Sequence, residues 1–229
     1  MKKLISFLLL LSFASKGQNT SPITLSFKQS IKSNKSILLD SLYTISDGTS
    51  LKIETLKFYI SKIQLLDKNR IVFTEENSFY LIDISDINSL KIAFNIPTNI
   101  KYTQLKFNLG IDSLTNVSGV YGGDLDPTKG MYWTWQSGYI NFKLEGTCSV
   151  CPGAKKEFQF HVGGYQAPFN TLRELTLETN QKNNIEILLD LKQFLEKISL
   201  SKQNHIMSPN RQAVDLSIII ANAFRINKP

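Results

Sequence analysis

Short runs of apolar residues spaced two apart recur along nearly the whole chain, and no long helical pattern interrupts them before the C-terminal end. Successive side chains of a strand point to opposite faces, so each run reads as a half-buried strand. Ile23, Leu25 and Phe27 alternate with Thr24, Ser26 and Lys28; Leu56, Phe58 and Ile60 alternate with Lys57, Tyr59 and Ser61; Leu105, Phe107 and Leu109 flank Lys106 and Asn108. The same reading covers 90–96, 140–144, 158–162, 175–177 and 185–191. Turn residues separate the runs at Asp47-Gly48, Asp67-Lys68-Asn69, Gly122-Gly123 and 181–184. So many strands without intervening helices predict an all-β fold, either an antiparallel β-sandwich or an open barrel. No internal repeat, low-complexity tract or linker divides the chain.

The C-terminal end departs from this pattern. Ser208 offers an N-cap hydroxyl before Pro209, which suits the first helical position, and 213–224 then reads as one amphipathic helix. Val214, Ile218, Ala221 and Phe224 form its expected buried stripe, widened by Ile219 and Ile220. Such a helix is expected to close one end or edge of the sandwich. A shorter helical turn is expected across 192–198.

Lys2 and Lys3 precede an apolar stretch from Leu4 to Leu11, and small or polar residues follow to Gly17, the layout of a secretory signal peptide. The stretch is short of the roughly 20 apolar residues that a membrane-spanning helix needs, and no other part of the chain approaches that length. Ser15 and Gly17 place small residues before a cut at Gln18, with no cysteine there to take a lipid. Residues 1–17 are therefore read as a signal and 18–229 as one domain, soluble and periplasmic or secreted. Removing Lys2, Lys3 and Lys16 lowers the formal charge from +7 to +4. The remaining basic residues form no run and are not interleaved with aromatics, which argues against nucleic-acid binding. A hydrophobic content of 42% suffices for a packed core.

Both tryptophans lie two residues apart in GMYWTWQSGY at 130–139. On a strand, Met131, Trp133 and Trp135 share one face and Tyr132, Thr134 and Gln136 the other, a spacing that also suits ordinary core packing. Read in order, LKFYISKIQLLD at 56–67, YLIDI at 80–84, LKFNLGID at 105–112, GMYWTWQSGY, FKLEG, FQFHVGGY and the C-terminal helix resemble the MbnP-like domain. That is the family of methanobactin-operon-associated copper-binding proteins. The order and spacing of the strings carry the resemblance, which spans nearly the whole mature chain. It implies an exported protein that binds copper for handling or delivery. It also implies, for some members, a tryptophan oxidised to kynurenine by a partner dihaem cytochrome c peroxidase-like enzyme and used beside histidine as a copper ligand.

The chain has two histidines, so any imidazole ligand is His161 or His205. His161 has opposite parity to Phe158, Phe160 and Val162, which puts its ring on the face of Gln159 and Gly163; its position alone also suits an ordinary surface histidine. The family resemblance makes it a candidate ligand through FHVGG. His205 stands before Met207 and the helix cap, and reads either as a loop histidine or as a second nitrogen brought in by the helix. Imidazole binds both copper oxidation states, whereas the thioethers of Met131 and Met207 and the thiols of Cys148 and Cys151 favour Cu(I). An unmodified indole has no lone pair for ligation. Trp133 or Trp135 would serve as kynurenine or as a cation–π wall.

Cys148 and Cys151 sit between two strands in CSVC. In an exported protein this reads first as a disulfide stapling a hairpin loop, with a copper-binding dithiol as the alternative. A thioredoxin-like role is disfavoured because that motif draws its reactivity from a helix N-terminus. The segment from Asp112 to Asp126 also carries Asn116 and Asp124 among glycines; it is a candidate calcium loop without EF-hand spacing, or a solvated turn. No GxSxG, HExxH or phosphate-binding glycine loop is present, so a non-enzymatic role is expected. The second reading is a metal-free β-sandwich that binds carbohydrate or a cell-surface protein by stacking on Trp133, Trp135, Tyr132 and Tyr139.

Overall fold

The computed structural model describes residues 19–31, 36–180 and 183–227. The signal-peptide reading of 1–17, and part of the turn expected at 181–184, lie outside them. The strands are β1 (Thr20–Ser30), β2 (Leu42–Thr44), β3 (Ser50–Asp67), β4 (Arg70–Thr74), β5 (Phe79–Asp83), β6 (Lys91–Pro97), β7 (Gln104–Leu109), β8 (Tyr132–Trp133), β9 (Gly138–Cys148), β10 (Glu157–Gly163), β11 (Arg173–Glu178), β12 (Asn184–Asp190), β13 (His205–Ile206) and β14 (Phe224–Ile226). The α-helices are α1 (Ser113–Val117), α2 (Leu191–Leu195) and α3 (Arg211–Ala221).

These elements form the expected all-β architecture. One sheet runs β14-β12-β1-β6; the larger runs β11-β7-β3-β9-β10-β13, with β2, β4 and β5 pairing along β3 and β8 along β9. Pairings are antiparallel except β1 with β12 and β10 with β13. β3 organises the larger sheet. Register shifts at 53/55 and 61/64 interrupt its 18 residues, and such bulges bend a strand enough to border several partners. The two sheets meet through aromatic rings: Phe27 of β1 packs edge-on against Phe58 of β3 at 6.0 Å, and Phe58 against Phe224 of β14 at 5.5 Å.

Two helical expectations change in detail. Asp190 caps α2 by accepting from the Gln193 amide at 3.2 Å, so Leu191 opens the helix instead of ending the strand. α3 is capped by Asn210, which accepts from the Ala213 amide at 2.8 Å, and not by Ser208. Its buried stripe is Ala213, Leu216, Ser217 and Ile220; Ile218 is 46% exposed. The expected stripe assumed a helix running through Phe224. The chain instead leaves the helix at Asn222 and returns as β14, pairing Phe224 with Leu189, so Phe224 enters the core from a strand.

The larger sheet is covered on its outer face as well. The segment between β7 and β8 lies across β3 and β9, and Tyr59, Leu81, Ile111, Leu125, Met131, Trp133, Tyr139 and Ile140 make a second core beneath it. Tyr59, which alternation assigns to the polar face, is fully buried there; its hydroxyl donates to the Asp124 carbonyl at 3.0 Å. Lys57 and Lys143, on the same face, donate to the carbonyls of Lys129 and Gly130 at 3.3 and 3.4 Å and tie down the approach to Trp133.

Candidate metal centre

Two cross-strand rows on this outer face gather the candidate residues. One row reads Thr55, Glu145, Gln159, His205 across β3, β9, β10 and β13; the next reads Lys57, Lys143, His161. His205 and His161 are therefore diagonal neighbours on adjacent strands, roughly 8 Å apart by ideal strand spacing. His205 does not reach the face through the C-terminal helix. It arrives on the short β13, held parallel to β10 by the Gln159 amide donating to the Asn204 carbonyl at 2.7 Å. Met207 follows directly where β13 ends at Ile206.

The environments of the two histidines differ. His205 is exposed, whereas His161 is 7% exposed, with its Nε2 2.6 Å from Glu145 Oε1. Nδ1 of His161 has no hydrogen-bond partner among the described residues. The hydrogen bond from His161, helped by Lys143 Nζ at 3.6 Å, pulls the Glu145 carboxyl down to about 2 against the opposing effect of burial. Glu145 is the neighbour of His161 that sequence reasoning missed. Its signal was parity: in a hairpin joining β9 to β10, outward residues of one strand face outward residues of the other.

The tryptophans are together but do not share a strand face. β8 ends at Trp133, and residues 134–137 turn back into β9, with Ser137 at a φ of 51°. Trp133 is buried and Trp135 is 64% exposed, with ring centroids 5.7 Å apart. Trp133 lies over β10 at Gly163, two residues along the strand from His161, because Gly163 leaves room for it: a Cβ there would come within 2.7 Å of the indole. Tyr139 is also buried, so the four aromatics do not form an exposed stacking platform.

The remaining donors are accounted for. Met131 is buried in the second core. Cys148 and Cys151 form a disulfide with a Cα separation of 5.3 Å at the β9–β10 turn, so no free thiol remains. In the acidic loop, Asp112 caps α1 by accepting from the Thr115 amide at 2.8 Å. Asn116 is buried, donating to the carbonyls of Ile111 and Asp112 and accepting from the Tyr139 amide. Asp124 pairs with Lys129 at 2.6 Å and accepts from the Leu81 amide, while Asp126 caps the turn at Thr128. Among the described residues, no group of three or more His, Cys, Asp or Glu is placed to share a metal ion. The face carries the imidazoles of His161 and His205, and the thioether-bearing Met207 follows β13 in the chain, donor types that fit a soft cation such as copper better than calcium.

No helix among the described residues is long and apolar enough to cross a membrane. No curated protein matches the chain. A solved structure, MbnP from Methylosinus trichosporium, superposes with a TM-score of 0.59 at 17% identity, covering 86% of this chain and 87% of that one. At that identity the likeness establishes the fold. The family model MbnP matches residues 20–208, well over half of the sequence, and the chain belongs to the MbnP family.

Proposed function

We propose that this protein is an exported, non-enzymatic copper-binding protein that handles or delivers the metal, with the site on the outer face of the larger sheet. The observation that carries this reading is the alignment of both histidines of the chain on adjacent strands of one face, with Trp133 lying over Gly163, two residues along β10 from His161. His161 and His205 supply nitrogens and Met207 a thioether, donors suited to copper in either oxidation state. The buried indole of Trp133 walls the site. Trp135, exposed at the turn, is the tryptophan within reach of a partner dihaem peroxidase-like enzyme, which would convert it to kynurenine and add an amine and a carbonyl as donors. The disulfide accords with an oxidising compartment.

Metal analysis of protein isolated under copper-replete conditions tests the reading. Stoichiometric copper is expected, and His161→Ala should weaken it at least tenfold, about 1.4 kcal/mol. His205→Ala should have the smaller effect, because that ring is exposed and has no hydrogen-bond partner among the described residues to hold it. Copper binding unchanged in both variants would remove the site assignment.

A further inference from the structure

The contact between Glu145 and His161 specifies more than a structural ion pair. We infer that Glu145 is a positioning residue that fixes the His161 imidazole with its proton on Nε2, and so presents Nδ1 as the nitrogen that takes copper. The inference rests on the copper reading above and adds which nitrogen binds and what selects it.

The geometry leads there in three steps. A carboxylate has only acceptor sites, so the 2.6 Å contact from Glu145 Oε1 requires the proton on His161 Nε2. In the neutral ring the lone pair then belongs to Nδ1, the nitrogen with no hydrogen-bond partner among the described residues. Nδ1 is also not enclosed as a sealed, orphaned polar atom. Backbone register holds the carboxylate in place: Glu145 is level with Gln159 and Lys143 is level with His161, so Glu145 and His161 are fixed diagonal neighbours of one hairpin. Lys143, 3.6 Å from the same oxygen, further limits where the carboxylate can swing.

A carboxylate that accepts from the far nitrogen of a metal-binding imidazole sets the tautomer, orients the ring and raises the basicity of the ligating nitrogen. Removing such a partner typically costs 10- to 100-fold in metal affinity. His205 is exposed and has no comparable partner among the described residues, so the two histidines divide into an oriented anchor and an unanchored second ligand.

The test begins on the metal-free protein. Long-range proton–nitrogen correlation NMR at mildly alkaline pH should show the wild-type His161 ring with its proton on Nε2. Glu145→Gln, whose amide can donate as well as accept, and Glu145→Ala should each give a mixed or inverted tautomer while keeping the dispersed spectrum of a folded protein. Titration with Cu(I) should then show affinity reduced at least tenfold in both variants. A wild-type ring with its proton on Nδ1 would overturn the inference whether or not copper binds. So would unchanged affinity in Glu145→Gln and Glu145→Ala alongside a loss in His161→Ala, which would leave the copper site itself standing. No copper bound by the wild type would overturn both.

Discussion

Trp133 and Gly163 are in contact because position 163 has no side chain: a Cβ there would meet the indole at 2.7 Å and the Tyr139 carbonyl at 2.8 Å. One of those neighbours is backbone within a paired hairpin and cannot yield, so the indole must move. Gly163→Ala is expected to lower stability by about 1–3 kcal/mol, the usual cost of overpacking. It should also expose Trp133, which is otherwise 6% exposed. Urea unfolding and tryptophan fluorescence report the two effects separately; a variant with wild-type stability and an unshifted emission maximum would show that the indole does not rest on Gly163.

The Cys148–Cys151 bridge closes a very short loop, spanning three residues of sequence separation at the tip of the β9–β10 hairpin. Chain-entropy reasoning gives so short a loop about 2 kcal/mol, toward the low end for disulfides. Replacing both cysteines by serine should therefore lower stability by that order without unfolding the domain. Protein isolated from an oxidising compartment should resist alkylation until it is reduced. Full alkylation without reductant would restore the dithiol as a candidate copper ligand.

Much of this fold is legible in period-2 alternation, because the inner faces of β1, β3, β7 and β10 present apolar runs such as Ile23, Leu25 and Phe27, Leu56, Phe58 and Ile60, Leu105, Phe107 and Leu109, and Phe158, Phe160 and Val162 to the core. Parity likewise places His161 opposite Phe158 and Phe160. What alternation does not reveal is a cover built from distant sequence: Tyr59 reads as outward until the segment between β7 and β8 is laid over it. Glu145 escaped notice because its value lies in a cross-strand diagonal, which needs the register. β13 has two residues, too few for any periodicity, so His205 reads as a loop residue. The shared face expected for Trp133 and Trp135 fails because the strand stops at Trp133 and a turn intervenes.

The Glu145 carboxyl, lowered from 4.5 to about 2 by its hydrogen bond to His161, links the site to acid stability. A depressed folded-state value means that the contribution is complete above pH 4.5 and fades as pH falls toward 2. Comparing wild type with Glu145→Gln isolates it from the other carboxylates. The stability difference between the two is expected to shrink as pH falls through that window. A difference that stays flat through that window would mean that the Glu145 carboxylate is not held by this hydrogen bond in solution.

Oxidation is expected to discriminate between the two tryptophans. Both indoles are close enough to interact, with centroids 5.7 Å apart, yet they are unequally accessible: Trp133 is sealed against Gly163 and the second core, while Trp135 stands 64% exposed on the turn. An enzyme that must approach from outside meets Trp135 first. Conversion of Trp133 would require its carbonyl and amine products to sit among Met131, Leu125 and Tyr139, where unpaired polar groups are costly. Protein produced together with its genomic neighbours should therefore carry the loss of one carbon and gain of one oxygen that marks kynurenine, located by peptide mass analysis at Trp135, and protein produced alone should not. Trp135→Phe should abolish the change without shifting it to Trp133. Modification found at Trp133, or retained in Trp135→Phe, would show that access does not select the site; two intact tryptophans in native material would leave copper bound by histidine and methionine alone.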